Sequence, residues 1–175
     1  MSRDKAESAH ARGKGFFAAA ETETYHPQGN VIGQMTPDSC VAACCRMLLR
    51  DHVADIVESH LRVALETDEE GSFVSKAPEV LRHFGLLPPY VYSANLTVDD
   101  LKQAASHGPI VAAVRFADER SWHTLLVDEF DDEWVLIRDS LPEGIGSAYK
   151  VSLTEFSRVW LVKETGYGQA VIVVE

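Results

Sequence analysis

The sequence predicts an α+β domain in which an N-terminal helical half packs on a small antiparallel sheet. Three observations lead there. Apolar residues recur with helical spacing between Cys40 and Phe84. After Pro109 the character changes to buried β-branched runs and a hairpin pattern around an acidic turn. Helices therefore precede strands instead of alternating with them, which is the order of an α+β layout.

The elements follow in chain order. Residues 1–30 carry little periodic signal and read as a loosely attached arm, with Phe16-Phe17-Ala18-Ala19-Ala20 as its apolar patch and Phe16 and Phe17 as its docking point. Residues 31–175 form the domain proper. Pro37-Asp38-Ser39 supplies a helix start, in which Asp38 or Ser39 caps free N–H groups. The apolar run from Cys40 to Leu49 is then a buried helix. A second helix is expected over Val53 to Glu66, with Ile56, Leu61 and Leu65 on one side, broken by Asp68-Glu69-Glu70-Gly71. A third covers Ser75 to Phe84 and stops at Gly85. A short strand at Tyr90 to Tyr92 and a helix from Thr97 to Ser106 precede the buried strand Ile110 to Val114. Trp122 to Glu129 and Glu133 to Asp139 pair as a hairpin, Ser152 to Val159 is a short helix, and Ala170 to Val174 is a closing strand.

Composition narrows the function. The chain has 175 residues, 46% of them hydrophobic and 25% charged, enough for one domain with its own core. Its formal net charge of −11 repels phosphate backbones, so nucleic acid is not an expected partner. No apolar run approaches the roughly 18 residues of a membrane span, and Met1 to Gly15 lacks the apolar stretch of a secretory signal. A cytoplasmic location, or delivery into a target cell by a secretion system, is the expectation. Cys40, Cys44 and Cys45 are three cysteines in one tight cluster, which is not a disulfide framework and fits a reducing compartment. Their spacing also lacks the paired cysteines of a zinc site, and no metal or cofactor is expected.

A thiol attacks a carbonyl carbon well only as thiolate, so it needs a lowered pKa and a neighbouring base. Cys40 stands at the start of the predicted buried helix, where the helix dipole and unpaired N–H groups favour negative charge and can face an oxyanion. Gln34, on the approach loop, offers a side-chain amide to the same oxygen. Cys44 and Cys45 read as small buried hydrophobes. If Phe130-Asp131-Asp132 form the hairpin loop, Val127 faces Val135, Leu125 faces Ile137 and His123 faces Asp139, with Cβ atoms about 4.5–5.5 Å apart. A carboxylate there fixes the imidazole tautomer and stabilises its charged form. A loop one residue longer puts the two on opposite faces. Asp139 read alone also suits the first position of a turn into Ser140-Leu141-Pro142.

At these residues the sequence resembles a known group. Gln34-Met35-Thr36-Pro37-Asp38-Ser39-Cys40 is similar to the Gln…Cys entry of papain-like cysteine peptidases. His123-Thr124-Leu125-Leu126-Val127, the acidic turn and Val135-Leu136-Ile137-Arg138-Asp139 resemble the His and Asp strands of the bacteriocin-processing peptidase family. The family usually has Gly after the nucleophile, where this chain has Val41. The resemblance implies a papain-like fold and a cysteine protease or related amide hydrolase. Cys40 is then the nucleophile, His123 the base, Asp139 its orienting group and Gln34 an oxyanion donor, acting through an acyl-thioester. Its substrate is a protein or peptide. Compact bacterial effector and toxin domains resemble the same fold, which adds a toxin role and an inhibitory or immunity protein as an expected partner. A deamidase, an acyl transferase or a cell-wall peptide amidase uses the same residues, and a catalytically dead binding module keeps the same fold.

Overall fold

A computed structural model describes residues 15–87, 89–118 and 120–174. The arm expected over residues 1–30 lies partly outside them, since residues 1–14 are not described. Strand β1 (Thr22–Thr24) comes first, then helices α1 (Cys40–His52), α2 (Glu58–Ala64) and α3 (Ala77–His83). They are followed by β2 (Tyr90–Leu96), α4 (Val98–Ala105), β3 (Ile110–Arg115), β4 (Trp122–Asp131), β5 (Trp134–Asp139), β6 (Ser147–Ser152), α5 (Leu153–Trp160) and β7 (Gly168–Val173). The strands make one seven-stranded sheet in the order β1-β6-β5-β4-β3-β7-β2, with every pairing antiparallel. The α+β class is as the sequence predicts.

The sheet is buried on both faces, which is why β3 to β5 read as near-continuous apolar runs. One face packs on α1, α2 and α3 through Val111, Leu126 and Val171 against Cys44, Leu48, Leu61 and Leu81. The other face packs on α4 and α5, with Leu125, Val127, Ile137 and Tyr149 around Phe17, Leu101, Phe156 and Trp160. Among the described residues no helix is long and apolar enough to cross a membrane.

Three local expectations need correction. Helix α2 begins at Glu58, not Val53; the segment between carries Asp55, which turns back to pair with Arg46 of α1. Ser39 is the residue before α1, but neither its hydroxyl nor Asp38 caps the helix; both side chains bind Arg62 of α2 instead. The guanidinium beside the approach loop gives these oxygens a stronger, charge-assisted donor than a helix N–H. Thr97, by contrast, caps α4 in a full capping box with Asp100.

The third correction concerns the hairpin. The loop is two residues, Asp132-Glu133, with Asp131 opposite Trp134 and Phe130 opposite Val135. Glu129 therefore faces Leu136, and the predicted opposition of Glu129 to Glu133 does not occur. Continued unbroken, that register would place His123 and Asp139 on opposite faces, because side chains alternate with period two. A β-bulge between Val127 and Glu129 intervenes, and beyond it Val127 faces Ile137 and Leu126 faces Arg138. One extra residue restores the parity. His123 ends on the face of Asp139, as a diagonal neighbour instead of the directly opposed one.

Candidate active site

Two loops and two layers meet at Cys40. The approach loop is fixed from both sides. Backbone bonds join Gln34 N–H to the Ser140 carbonyl at 2.9 Å and Gly144 N–H to the Gln34 carbonyl at 2.9 Å. Gly33 is the hinge of this contact: a Cβ there would sit 2.2 Å from the Ile145 nitrogen, so only glycine lets the loops approach. From the other side, the Glu58 carboxylate accepts the Met35 N–H at 3.1 Å, and Arg62 donates to Thr36 Oγ1 at 2.7 Å and to Asp38 Oδ1 at 2.6 Å. These bonds aim the first turn of α1, where helix geometry leaves the leading N–H groups without intrahelical acceptors.

Gln34 is only 1% exposed, so it is not a solvent-facing loop residue. Its amide nitrogen donates to the Thr36 carbonyl at 2.8 Å and the Pro37 carbonyl at 3.2 Å, while its oxygen accepts the Ser140 hydroxyl at 2.7 Å. The side chain is built into the turn that leads to Cys40.

His123 and Asp139 are brought together. Nε2 of His123 donates to Asp139 Oδ1 at 2.7 Å, in the interior. Three further donors surround the carboxylate: the Leu141 N–H at 3.0 Å on Oδ1, and the Tyr149 hydroxyl at 2.6 Å and Phe16 N–H at 2.8 Å on Oδ2. Burial works to raise the Asp139 pKa, but the charge and hydrogen bond of His123, then Tyr149 and Leu141, hold it below the ordinary value. Burial likewise works against the charged imidazole. The Asp139 charge and hydrogen bond, aided by Cys40, win, and the His123 pKa rises to about 10.

With Nε2 committed to Asp139, Nδ1 is the nitrogen left for the thiol. Cys40 stands partly exposed at the tip of α1, beside His123 and Thr124. Burial raises its pKa, the hydrogen bond and charge of His123 and the bonds from Thr124 lower it more, and the balance lies below the ordinary thiol value. The other two thiols go the opposite way. Burial pushes Cys44 well up, and Cys45 up to about 12. Cys44 is bonded to Thr124 Oγ1 at 3.7 Å, as a core residue behind the site. Among the described residues no cluster of three His, Cys, Asp or Glu side chains is placed to hold a metal ion.

The structure thus assembles Cys40, His123 and Asp139 in one site, with Gln34 in the loop beside it. Sequence reasoning did not find Glu58, Arg62, Ser140 and Tyr149. Their partners are distant in sequence, and no local pattern marks them.

Comparison with known proteins bears on the family and the fold. The model of the peptidase C39 family matches residues 28–164. A double glycine motif protease from an AMS/PCAT transporter, solved in complex with the leader peptide, is 20% identical, with a TM-score of 0.63 over 86% of this chain and 95% of that one. The peptidase domain of Streptococcus ComA, a bi-functional ABC transporter involved in quorum sensing, is 16% identical, also with a TM-score of 0.63, over 82% of this chain and 96% of that one. At such identities the likeness is one of fold. No curated protein sequence matches.

Proposed function

The chain belongs to the peptidase C39 family and is a cysteine peptidase, and from that footing we propose that it cleaves peptide bonds through a Cys40–His123–Asp139 triad. The observation that carries this reading is the 2.7 Å bond from His123 Nε2 to a buried, multiply donated Asp139 carboxylate, beside the one thiol of three whose pKa falls. Asp139 fixes the tautomer and favours imidazolium, and imidazolium favours the Cys40 thiolate. The thiolate attacks the scissile carbonyl carbon and the carbonyl π electrons move onto oxygen. The Cys40 N–H at the tip of α1 receives that oxyanion. Gln34 joins it by exchanging its longer bond, the one to Pro37, for the oxyanion. His123 passes its proton to the leaving amine, and the C–N bond breaks to leave an acyl-thioester. Water, deprotonated by His123, then releases the acid and restores the thiol pair.

The substrate is a peptide, a reading supported by the leader peptide held by the AMS/PCAT protease. The acidic chain favours neutral or basic peptides over acidic ones. The test is alkylation with iodoacetamide at neutral pH followed by peptide mapping, together with digestion of a peptide library by the wild type and Cys40→Ala. Modification confined to Cys40, and cleavage lost in folded Cys40→Ala, are the expected results. Cleavage that survives in Cys40→Ala ends the proposal.

A further inference from the structure

The Asp139 carboxylate has one neighbour that the family does not supply. Residues 28–164 carry the family match, whereas Gly15, Phe16 and Phe17 lie ahead of it. These three residues form a single 3-10 turn that is held in place at several points. Phe17 is buried in the core and meets Tyr149 edge-on, with ring centroids 6.1 Å apart. The Ala20 N–H closes the turn on the Phe17 carbonyl at 3.0 Å, and β1 then adds Thr22–Thr24 to the edge of the sheet beside β6.

The turn meets the catalytic pair in two ways. Phe16 N–H supplies one of the two donors to Asp139 Oδ2, at 2.8 Å. The carboxylate is fully buried, so without that donor a charged oxygen loses a bond that water does not replace. The Phe16 ring lies almost parallel to the His123 imidazole, 9° off, with centroids 5.6 Å apart. That separation is within the about 6 Å at which an aromatic ring attracts a cation. Phe116 lies beside both rings, 5.0 Å from Phe16 and 6.0 Å from His123 between centroids. Gly15 makes the approach sterically feasible. Its φ of +65° lies in the left-handed region, and a Cβ there would be 2.4 Å from Asp139 Oδ2 and 2.8 Å from Ser147 Oγ.

We propose that Gly15 and Phe16 are positioning residues of the peptidase: they hold the His123–Asp139 pair in one orientation and keep water from the bond between them. The inference rests on the triad reading. Neither residue touches the scissile bond; both act through His123 and Asp139.

The experiment uses the full chain and its Phe16→Ala, Phe16→Trp and Gly15→Ala variants. Two quantities are read: the exchange with water of the His123 Nε2 proton by NMR, and the rate of Cys40 alkylation by iodoacetamide at pH 6. In folded Phe16→Ala the proton is expected to exchange faster, and Cys40 to alkylate about tenfold more slowly, the change that one pKa unit makes. Phe16→Trp restores both, and Gly15→Ala moves both in the direction of Phe16→Ala. A residue with only a packing role lowers the melting temperature and leaves both readouts unchanged in the folded protein. Should Phe16→Ala fail to fold, Phe16→Leu, which keeps apolar volume without the aromatic face, is read by the same two measurements. Wild-type exchange and alkylation rates in folded Phe16→Ala, or in Phe16→Leu if that is the variant read, overturn the inference. The triad reading fails separately, in the wild type itself, if Cys40 is not alkylated in preference to Cys44 and Cys45.

Discussion

Cys40, Cys44 and Cys45 share one helix, yet their surroundings divide them. Cys44 and Cys45 face the core, where burial is the largest cause of a raised thiol pKa, while Cys40 starts the helix beside His123 and Thr124. That division was legible in the sequence, because a helix start can be read from Pro37-Asp38-Ser39 and the residues beyond it are continuously apolar. The wiring of the start was not legible: Asp38 and Ser39 look like caps and serve as ligands of Arg62, 23 residues or more away. Asp139 was readable as a partner for His123, but not the donors that keep it charged, since Tyr149 lies on a strand with no strong apolar signal and Phe16 in a segment with little periodicity. At this scale the sharpest test is Asp139→Asn. Loss of the anion lowers the His123 pKa and depopulates the thiolate–imidazolium pair. Peptide cleavage is expected to fall between about tenfold and about a hundredfold, up to the lower end of general acid–base contributions and less than in Cys40→Ala. A variant with wild-type kcat/KM makes the site a Cys40–His123 dyad and Asp139 a structural residue.

The hairpin shows how an element can be right for a reason the sequence hides. The pairing of β4 with β5, and the shared face of His123 and Asp139, follow from alternation in Val127, Leu125, Ile137 and Val135. Loop length did not follow, because an acidic run from Asp128 to Glu133 contains no Gly or Pro to mark where the turn sits. Two departures offset each other: a shorter loop and a bulge at Asp128. The bulge has an identifiable cause. Asp128 turns to Arg138, accepting from Nε at 2.9 Å and from Nη2 at 2.8 Å, and also accepts the Tyr25 hydroxyl at 2.7 Å. Arg138 is itself buried, and bonds Asp51 Oδ2 at 2.8 Å and the Asn30 carbonyl at 2.9 Å. One guanidinium thus ties the bulge to the end of α1 and to the approach loop. Arg138→Leu leaves a pair of largely buried carboxylates, Asp51 and Asp128, without their cation and is expected to cost about 3–5 kcal/mol of stability in urea unfolding. A loss under about 1 kcal/mol, the size of an exposed pair, would mean that the network does not hold the register.

At the scale of the molecule, the site is a junction between layers. Cys40 belongs to the α1–α3 layer, and His123 and Asp139 to the face that carries Phe17 and Tyr149. The two-layer order was readable from helices preceding strands. The edge strand β1 and its neighbour β6 were not, since Thr22–Thr24 and Ser147–Ser152 are short and half exposed. Joining the layers through an ion pair gives the whole fold a pH signature. The His123 pKa is raised from 6.5 to about 10, so its contribution is full below 6.5 and is lost as pH rises towards 10. The Cys40 pKa is lowered from 9.0, so its contribution is full above 9.0 and is lost as pH falls through the lowered value. Above both 6.5 and the lowered Cys40 value, and below 9.0, the two slopes oppose each other, because there the folded pair and the unfolded pair bind the same number of protons. Cys40→Ala removes one slope and keeps the other, as Asp139 is the main support of the raised His123 pKa. Relative to the wild type, Cys40→Ala is therefore expected to lose stability as pH rises from 6.5 to 9.0, at up to about 1.4 kcal/mol per pH unit. Urea unfolding of both proteins at several pH values measures the difference. Curves that stay parallel across that range would show that the imidazole and thiol are not coupled across the layers.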